Sequence, residues 1–388
     1  MKKKITLFTD LSKSKGGAII AALRIYRLLK KKYDVKLLSP KNKNISGKFK
    51  ILLSKVIIRI LIGKTNFLNS LNIFSTKTIS NFDQNILHVH WIGNEALSLN
   101  QMINYTKPII WTMHDMWPIT STEHFLNNPK SKKYNEKDCQ NNYLKKLIYR
   151  RKKNLFKKKN IHLVANSKWL ANFAQKSELT KHLKINTIYN PIDTNIWKRK
   201  NNFYAKKKLN LPLDKKYILF GAHGGLNNPR KGGYLFLEST KILKKLDNNL
   251  EVIILGGNKN YVELIDGIKF HFRKLEHSQT RQRLYHSASS LTVSASKAES
   301  LPQFLVETIL CGNPVVAFNV GGNSEIVTHK INGYLVKTYD VNDFKKGITY
   351  CIKNIKKNNL VKANRKIRYM FNEKNILKKY INIISKIN

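Results

Sequence analysis

The chain has 388 residues, of which 42% are hydrophobic, so it can bury more than one core and two domains are expected. Its 72 Lys and Arg residues outnumber 23 Asp and Glu, for a formal net charge of +49. This charge favours nucleic acid, an anionic membrane surface or anionic substrates as partners; the alternative is a general excess of surface lysine. Three cysteines without metal-site spacing, and no apolar stretch of bilayer length, predict a cytoplasmic protein without zinc or disulfides.

Short apolar runs separated by longer amphipathic stretches predict the secondary structure. The first run reads as a strand, not as a signal peptide. The predicted strands of the first half are Ile5–Phe8, Val35–Leu38, Ile86–Val89, Ile109–Met113, His162–Ala165 and Asn186–Tyr189. Those of the second half are Tyr217–Phe220, Val252–Leu255, Ile268–Phe272, Leu291–Ser294, Val315–Phe318 and Tyr334–Val336. Because these runs are continuous, they indicate two doubly wound α/β domains with parallel sheets.

The predicted domain boundary lies near Asn190 and Pro191, a turn signal followed by a polar stretch. We therefore expect an N-terminal domain in residues 1–195 and a C-terminal domain in residues 196–371. Residues 372–388 form a basic amphipathic stretch, which we expect to pack back on the N-terminal domain as a helix.

The residues that follow each strand are the candidates for a site, because ligands bind at the carboxyl ends of strands in open parallel sheets. After Leu291–Ser294, a loop leads into a helix that Pro302 starts and Gly312 ends. The backbone N–H groups of Ser300 and Leu301, with the helix N-terminus, suit a phosphate.

Two acids flank this helix start, Glu299 in the loop and Glu307 in the helix. Ionised carboxylates suit polyhydroxylated ligands, because each accepts hydroxyl hydrogen bonds that contribute about 1.5–3 kcal/mol. The alternative is a surface helix with two ordinary acids.

Glu299 and Glu307, with seven residues between them, resemble the Glu-x7-Glu motif of the retaining glycosyltransferases of the GT-B fold, family 4 (glycosyltransferase group 1). Ser300 stands where the family usually has Gly. The resemblance implies that Glu299 contacts the donor sugar and Glu307 the ribose. It also implies a GT-B fold, in which two doubly wound parallel-sheet, Rossmann-like domains face a central cleft. By the same resemblance, residues 1–195 would be the acceptor-side domain and residues 196–371 the nucleotide-sugar-binding domain.

Other segments agree with this family in order and placement. Lys231 resembles the Lys that holds the donor diphosphate in the family's Lys-Gly element. The family's earlier Arg has no counterpart in residues 221–225, so either Arg230 takes its place or the phosphate is held differently. Gly16 and Gly17 resemble the loop near donor phosphate and acceptor, although a Gly pair is also a plain turn. Gly322 and Glu325 resemble the loop beside the donor sugar.

Two strand ends in the first half carry histidines. His114 resembles the family's strand-end His, which contacts the donor sugar; the alternative is a satisfied core His. His90 lies two residues after His88 on one strand face, which could suggest a metal, but no third ligand has suitable spacing. We therefore assign His90, Trp91 and Asp115 to the acceptor side, and expect no metal.

Two segments are rich in basic residues, residues 47–64 and Lys145–Lys159. They suit peripheral binding of the protein to the anionic inner face of a membrane. The alternative is that they form ordinary helices with one buried face. No Asp-x-Asp occurs, which disfavours the metal-dependent GT-A class, and no complete P-loop motif occurs.

The expected function is a retaining, metal-independent hexosyltransferase in surface polysaccharide biosynthesis. It moves a sugar from a UDP-sugar or GDP-sugar, without a cofactor, to a hydroxyl of a glycan or glycolipid. The catalytic residues would be His114, Glu299 and Lys231. The alternatives are a GT-B nucleotide-sugar epimerase and a non-catalytic basic protein that binds membrane or nucleic acid.

Overall fold

The computed structural model describes residues 2–11, 16–40, 45–62, 71–75, 79, 85–126, 133–139, 141–355 and 357–387. The chain forms two compact units. The N-terminal unit is Met1–Pro191 with Glu373–Asn388, and the C-terminal unit is Ile192–Asn372. The division therefore falls after Pro191, shortly before the boundary expected at residue 195.

The N-terminal unit is built on a parallel sheet. Its strands are β1 (Lys4–Phe8), β2 (Asp34–Leu38), β3 (Ile86–Val89), β4 (Ile109–Met113), β5 (Ile161–Ala165) and β6 (Ile185–Thr187). They lie in the order β2-β1-β3-β4-β5-β6, and every pair is parallel. The helices that follow these strands are α1 (Gly17–Lys30), α2 (Ile45–Leu61), α3 (Leu99–Asn104), α4 (Tyr143–Phe156) and α5 (Lys168–Lys176).

The C-terminal unit holds a larger sheet. Its strands are β7 (Lys216–Gly221), β8 (Leu250–Gly257), β9 (Tyr261–Ile265), β10 (Ile268–Lys274), β11 (Leu291–Ser294), β12 (Val315–Phe318) and β13 (Gly333–Val336). They lie in the order β13-β12-β11-β7-β8-β10-β9. The helices are α6 (Asn202–Lys208), α7 (Gly233–Thr240), α8 (Leu243–Leu246), α9 (Gln279–Ala288), α10 (Gln303–Leu310), α11 (Asn323–Ile326), α12 (Val341–Asn354) and α13 (Lys357–Phe371).

The continuous apolar runs explain why the predicted strands agree with the observed ones to within a few residues. Strands β3, β4 and β12 are buried at every position, as strands covered by helices on both faces must be. The two doubly wound α/β sheets are confirmed.

Strand β9 falls outside the predicted strands. It pairs antiparallel with β10 at the sheet edge, and most of its residues are exposed, so it lacks a buried run. Asp266 and Gly267 connect the two strands with φ of 50° and 75°. A two-residue Asp-Gly turn with both φ values positive is the preferred hairpin connection, and this signal could have predicted β9.

Each sheet has one point where the strand order reverses. In the N-terminal unit it lies between β1 and β3, and in the C-terminal unit between β7 and β11. At such a switch point the connections leave in opposite directions and open a crevice at the carboxyl ends of the strands. The fold therefore marks one location in each unit where a ligand is expected.

The last helix, α14 (Glu373–Ser385), packs on the N-terminal unit. The fully buried hydroxyl of Tyr380 lies 3.2 Å from Oγ1 of Thr112 on β4. Nζ of Lys31, after α1, lies 2.7 Å from Oε2 of Glu373. The helix thus completes the core of a unit whose other residues lie nearly two hundred positions earlier.

Among the residues that the structure describes, none of the helices has the length and apolar character needed to cross a bilayer.

We expect Tyr380→Ala to lower the free energy of unfolding by about 3 kcal/mol, because it removes a fully buried ring and its hydroxyl contact. The measurement is urea denaturation. Tyr143→Ala is the matched control, since Tyr143 is 82% exposed and its loss should cost less than about 0.5 kcal/mol. Equal effects of the two substitutions would contradict the buried role of Tyr380.

Candidate active site

Three charged side chains meet at the switch point of the C-terminal unit. Lys231 lies in a short 3₁₀ turn after β7, and Glu299 lies in the loop after β11. Nζ of Lys231 contacts Oε1 of Glu299, and the guanidinium of Arg230 lies 3.3 Å from the same oxygen. Arg230 also donates to the carbonyl of Ala298 at 2.7 Å. The structure therefore brings together three of the predicted donor-site residues.

Glu299 is held as a carboxylate although it is almost completely buried. Burial alone would raise its pKa, but Lys231 and Arg230 outweigh this effect and lower the pKa to about 2. Burial lowers the pKa of Lys231, an effect that its contact with Glu299 opposes. With Lys231 and Arg230 both protonated, the cluster carries two cations and one anion, which is a net positive charge. Such a charge favours an anionic ligand.

Glycines allow the loops of this cluster to approach closely. Gly232 has φ of 66°, and a Cβ there would lie 2.1 Å from the carbonyl oxygen of Ala295. Gly321 has φ of 56°, and a Cβ there would lie 1.5 Å from the carbonyl oxygen of Glu299. Any other residue would push the loop after β12 away from Glu299. The sequence pointed to Gly322, but the close approach belongs to Gly321.

The helix after Glu299 has the predicted bounds. Pro302 is the N-cap of α10, and Gly312, with φ of 76°, follows its C-cap. Ser300 and Leu301 are buried in the loop before the cap, which is where the sequence placed them. Glu307 is buried one turn into α10.

The loop after β12 carries the remaining predicted residues of this unit. Gly322 is buried and caps the short helix α11, in which Glu325 is partly buried. Glu325 therefore lies at the carboxyl edge of the strand next to β11.

In the N-terminal unit, the two strand-end histidines contact each other. Nδ1 of His90 lies 3.0 Å from Nε2 of His114. The ring of His88 lies against that of His90, with centroids 4.3 Å apart and the planes tilted by 37°, and Nε2 of His88 lies 2.8 Å from Oγ1 of Thr112. Through Thr112 and Tyr380 this polar chain reaches α14. The sequence indicated only that His88 shares a strand face with His90. Its contacts with His90 and Thr112 show that it also positions the His90–His114 pair.

Burial keeps these imidazoles neutral. Desolvation, together with the charge of His114, lowers the pKa of His88 to about 3. Desolvation lowers the pKa of His114 to about 4, despite the opposing effect of Asp115. The pKa of His90 also lies well below its usual range, because of burial and its two His neighbours. A neutral imidazole can donate one hydrogen bond and accept another, which suits recognition of a hydroxyl.

Asp115 and Trp91 have structural contacts of their own. The carboxylate of Asp115 accepts the Trp117 N–H at 3.0 Å and lies 2.7 Å from Nδ1 of His124. The ring of Trp91 stacks parallel on His124 and covers Gly93, where a Cβ would lie 2.3 Å from the indole. His124, which the sequence gave no reason to select, thus contacts two of the three predicted acceptor-side residues, Trp91 and Asp115.

Asp10 is a further residue that the sequence motifs missed. It follows β1 at the switch point, is fully buried, and accepts a hydrogen bond of 2.9 Å from Nδ2 of Asn94. An acid placed directly after the first predicted strand was the available signal. Nearby, Gly16 is the N-cap of α1, and a Cβ at Gly17 would meet no atom within 4 Å. Lys15, the residue before this pair, lies outside the described residues.

The basic segment Lys145–Lys159 is only partly a surface. Lys152 is fully buried and donates to the carbonyls of Trp117, Thr120 and Ser121, with Nζ 3.6 Å from the Trp117 ring. Lys145 pairs with Glu123. Lys152 therefore lies on a buried face of α4, in agreement with the second alternative given for this segment, and it fixes the loop that follows His114 and Asp115.

Metal ligation is not apparent in the described part of the chain, where no group of three or more His, Cys, Asp or Glu side chains could hold an ion. His90 and His114 share a hydrogen bond rather than converging on a common point.

Residues 202–367 match the family model "Glycosyl transferases group 1". This match covers most of the C-terminal unit. The D-inositol 3-phosphate glycosyltransferase of Nocardiopsis dassonvillei is 38% identical over 18% of this chain and 17% of its own length. The putative glycosyltransferase YtcC of Bacillus subtilis is 26% identical over 33% of this chain and 34% of its own length. The aligned segments thus span only 17% and 34% of these two relatives.

Solved structures cover the chain almost completely. Anabaena HepE, solved in complex with UDP and glucose, matches with a TM-score of 0.63 and 16% identity over 99% of both chains. The sucrose-phosphate synthase of Thermosynechococcus elongatus matches with a TM-score of 0.68 and 13% identity over 99% of both. At this identity the likeness shows the fold alone, which is GT-B.

The neutral His cluster predicts how stability depends on pH. In the unfolded chain these histidines ionise below about pH 6.5, whereas in the folded chain their pKa values are lower, so the unfolded state binds more protons. Their contribution is complete above about pH 6.5 and is lost as the pH falls towards 4, by up to ~1.4 kcal/mol per pH unit for each histidine.

Urea denaturation between pH 7.5 and 4.5, followed by tryptophan fluorescence, measures this slope. The fluorescence reports mainly on the N-terminal unit, which contains Trp91, Trp111, Trp117 and Trp169 of the five tryptophans. We expect a shallower slope in His114→Asn, and an unchanged slope in His277→Asn, which alters an exposed histidine. The same slope in wild type and His114→Asn would contradict the prediction.

Proposed function

We propose that this chain is a retaining glycosyltransferase that moves a sugar from a nucleotide-diphosphate sugar to a hydroxyl of a glycan or lipid-linked glycan. The observation that carries the proposal is the cluster of Arg230, Lys231 and Glu299. It lies at the switch point of the C-terminal sheet and within the residues that match the group 1 family.

The charges of this cluster suit the two parts of such a donor. A diphosphate competes with the Glu299 carboxylate for Lys231 and Arg230. Binding of the diphosphate frees Glu299 to accept hydrogen bonds from sugar hydroxyls, as a buried carboxylate must when it loses its cations. The same site therefore binds phosphate with its cations and sugar with its anion.

In the transfer, the bond between the anomeric carbon and the phosphate oxygen breaks, and its electron pair leaves with the nucleoside diphosphate. Lys231 and Arg230 stabilise the charge that develops there. The acceptor oxygen bonds to the anomeric carbon, and its proton passes to the departing phosphate oxygen. We propose that no divalent metal is required, because the two side chains supply the positive charge, and that the neutral His114 takes part as a hydrogen-bonding group.

Anabaena HepE was solved with UDP-glucose, so a uridine nucleotide is the first donor to test and a guanosine nucleotide the second. A nucleotide-sugar epimerase of the same fold is the alternative that the experiments must separate. An epimerase would convert the donor into a second nucleotide sugar without any acceptor.

We expect Lys231→Met to weaken UDP binding by about 10- to 100-fold, because a charge-assisted hydrogen bond contributes about 1.5–3 kcal/mol. Isothermal titration calorimetry at physiological salt measures this. Lys245→Met removes the same charge from an exposed position of the same unit and should leave the affinity unchanged. Equal losses in both variants would show that general charge, not the cluster, binds the nucleotide.

We expect Glu299→Gln to separate binding from turnover. The substitution removes the carboxylate that competes with the diphosphate, so UDP affinity should stay constant or rise, whereas transfer should slow by about 100-fold. Release of UDP from UDP-glucose, with water as a slow acceptor, provides the assay without knowledge of the natural acceptor. Unchanged turnover would refute the role of Glu299, and formation of a second nucleotide sugar would favour the epimerase.

A further inference from the structure

Residues 194–213, at the start of the C-terminal unit, form a basic segment with exposed aromatic rings. The segment holds six Lys and Arg residues and no acid. Helix α6 lies within it and exposes Phe203 and Tyr204, by 58% and 47%. Two neighbouring exposed rings among cations are a candidate interaction surface. This surface, the α6 patch, consists of the exposed residues Lys198, Lys200, Phe203, Tyr204, Lys207 and Lys208.

Helix α6 buries small and basic residues and leaves its aromatic residues outside. Its buried residues are Ala205 and Lys206. Nζ of Lys206 donates to the carbonyl of Leu213 at 2.9 Å. A surface helix normally turns its large rings towards the core, because burying such a side chain contributes about 1.5–3 kcal/mol. The exposure of Phe203 and Tyr204 forgoes this stability, which is expected where rings bind a ligand.

Hydrogen bonds to the end of α9 fix this orientation of α6. Nδ2 of Asn202 donates to the carbonyl of Ser287 at 2.9 Å, and the N–H of Lys200 donates to Oγ of Ser287 at 3.0 Å. Asn201 caps the helix, because its Oδ1 accepts the N–H of Tyr204 at 2.9 Å. Rotation of α6 about its axis would break these contacts. The outward rings are therefore a defined feature of the fold.

The cations of the patch lie beside its rings. Lys207 and Lys208 follow the two aromatic residues by four positions, so each lies one turn further along the same side of the helix. Nζ of Lys208 lies 5.8 Å from the centroid of the Tyr204 ring. The patch thus presents apolar ring faces and ammonium groups to the same ligand.

The acids that flank the segment have partners of their own. Asp193 accepts the backbone N–H of Asn195 at 2.8 Å, and Asp214 pairs with Lys215 at 3.5 Å. The patch is up to about 20 Å long, because an extended approach leads into a helix of seven residues. A basic surface of this length suits a chain with several anionic groups rather than a single small anion.

We propose that the α6 patch binds an anionic glycan chain, and that this chain belongs to the acceptor. Sugar rings pack their C–H faces flat on aromatic rings, while the carboxylate or phosphate groups of the chain contact the lysines. A second contact away from the reacting hydroxyl raises the effective concentration of the acceptor at the transfer site. The role of the chain as acceptor rests on the proposed function, whereas binding by the patch is tested without it.

A glycan suits this position better than a strand of nucleic acid, which also binds to cations and rings. Helix α6 lies at the start of residues 202–367, which match a family of glycosyl transferases. Nucleic acid is therefore kept as an outcome of the test.

Fluorescence anisotropy at physiological salt tests the proposal with three labelled chains. They are a galacturonic acid decamer, which has rings and charge, inorganic polyphosphate, which has charge without rings, and a deoxythymidine decanucleotide. The ring variant Phe203→Gln/Tyr204→Gln keeps the charge and uses a residue of high helix propensity. Its control, Tyr143→Gln/Tyr369→Gln, removes two rings that are 82% and 74% exposed on other helices.

We expect the ring variant to bind the galacturonic acid decamer about tenfold more weakly than wild type and the control do. Its affinity for polyphosphate should equal that of wild type, because its cations are intact. Lys207→Gln/Lys208→Gln should weaken the binding of both chains by about threefold. Lys244→Gln/Lys245→Gln, which removes the same charge from exposed positions of α8, should weaken it less.

Three results would overturn the proposal. The first is wild-type protein that does not bind the galacturonic acid decamer. The second is a ring variant that behaves like its control, or that loses as much affinity for polyphosphate as for the decamer. The third is tighter binding of the decanucleotide, weakened in the ring variant, which would make the patch a nucleic-acid site.

Calorimetric UDP binding by each variant confirms that it is folded and separates this inference from the proposed function. Wild type that binds UDP but not the decamer would refute the patch and leave the proposed function in place. Wild type that binds the decamer but not UDP would do the reverse.

Discussion

Parallel strands that are buried on both faces leave little room for polar chemistry except at their carboxyl edge. In both units the strands are apolar almost throughout, and the charged and polar candidates follow them: Asp10, His90, His114, Lys231 and Glu299. Because connections diverge at the switch points, these residues sit where a crevice can form without disturbing the sheet. The rest of the site depends on this arrangement of the strands.

The carboxyl edges of the two sheets hold their buried ionisable groups in opposite charge states. In the C-terminal unit, two cations stabilise Glu299 as a buried anion, so the site is charged and ready to exchange one anionic partner for another. In the N-terminal unit, burial removes the charge from His88, His90 and His114. A charged site suits phosphate, and a neutral hydrogen-bonding site suits hydroxyl groups. The division of labour that we propose follows from this difference.

The sequence predicted most of the fold because buried parallel strands appear as continuous apolar runs whose ends are easy to find. It predicted Lys231 and Glu299 because each follows such a run within a recognisable motif. It did not predict β9, whose exposed residues lack that signal, although Asp266-Gly267 encodes its turn.

Other features depend on contacts between distant parts of the chain, which no local pattern records. One example is the polar chain from His88 through Thr112 to Tyr380. Another is the set of hydrogen bonds that Lys152 donates to three backbone carbonyls.

Helix α14 gives the chain an unusual order of assembly. The N-terminal unit receives this helix only after the whole of the C-terminal unit has been synthesised, and Lys3 then contacts the carbonyl of Ile384 across nearly the full length of the polypeptide. Contacts of such large sequence separation close slowly, since their loop entropy is lost before any packing is gained. During translation, the first unit to emerge is therefore the last to be completed. Its buried Thr112 gains the contact with Tyr380 only after α14 has been synthesised.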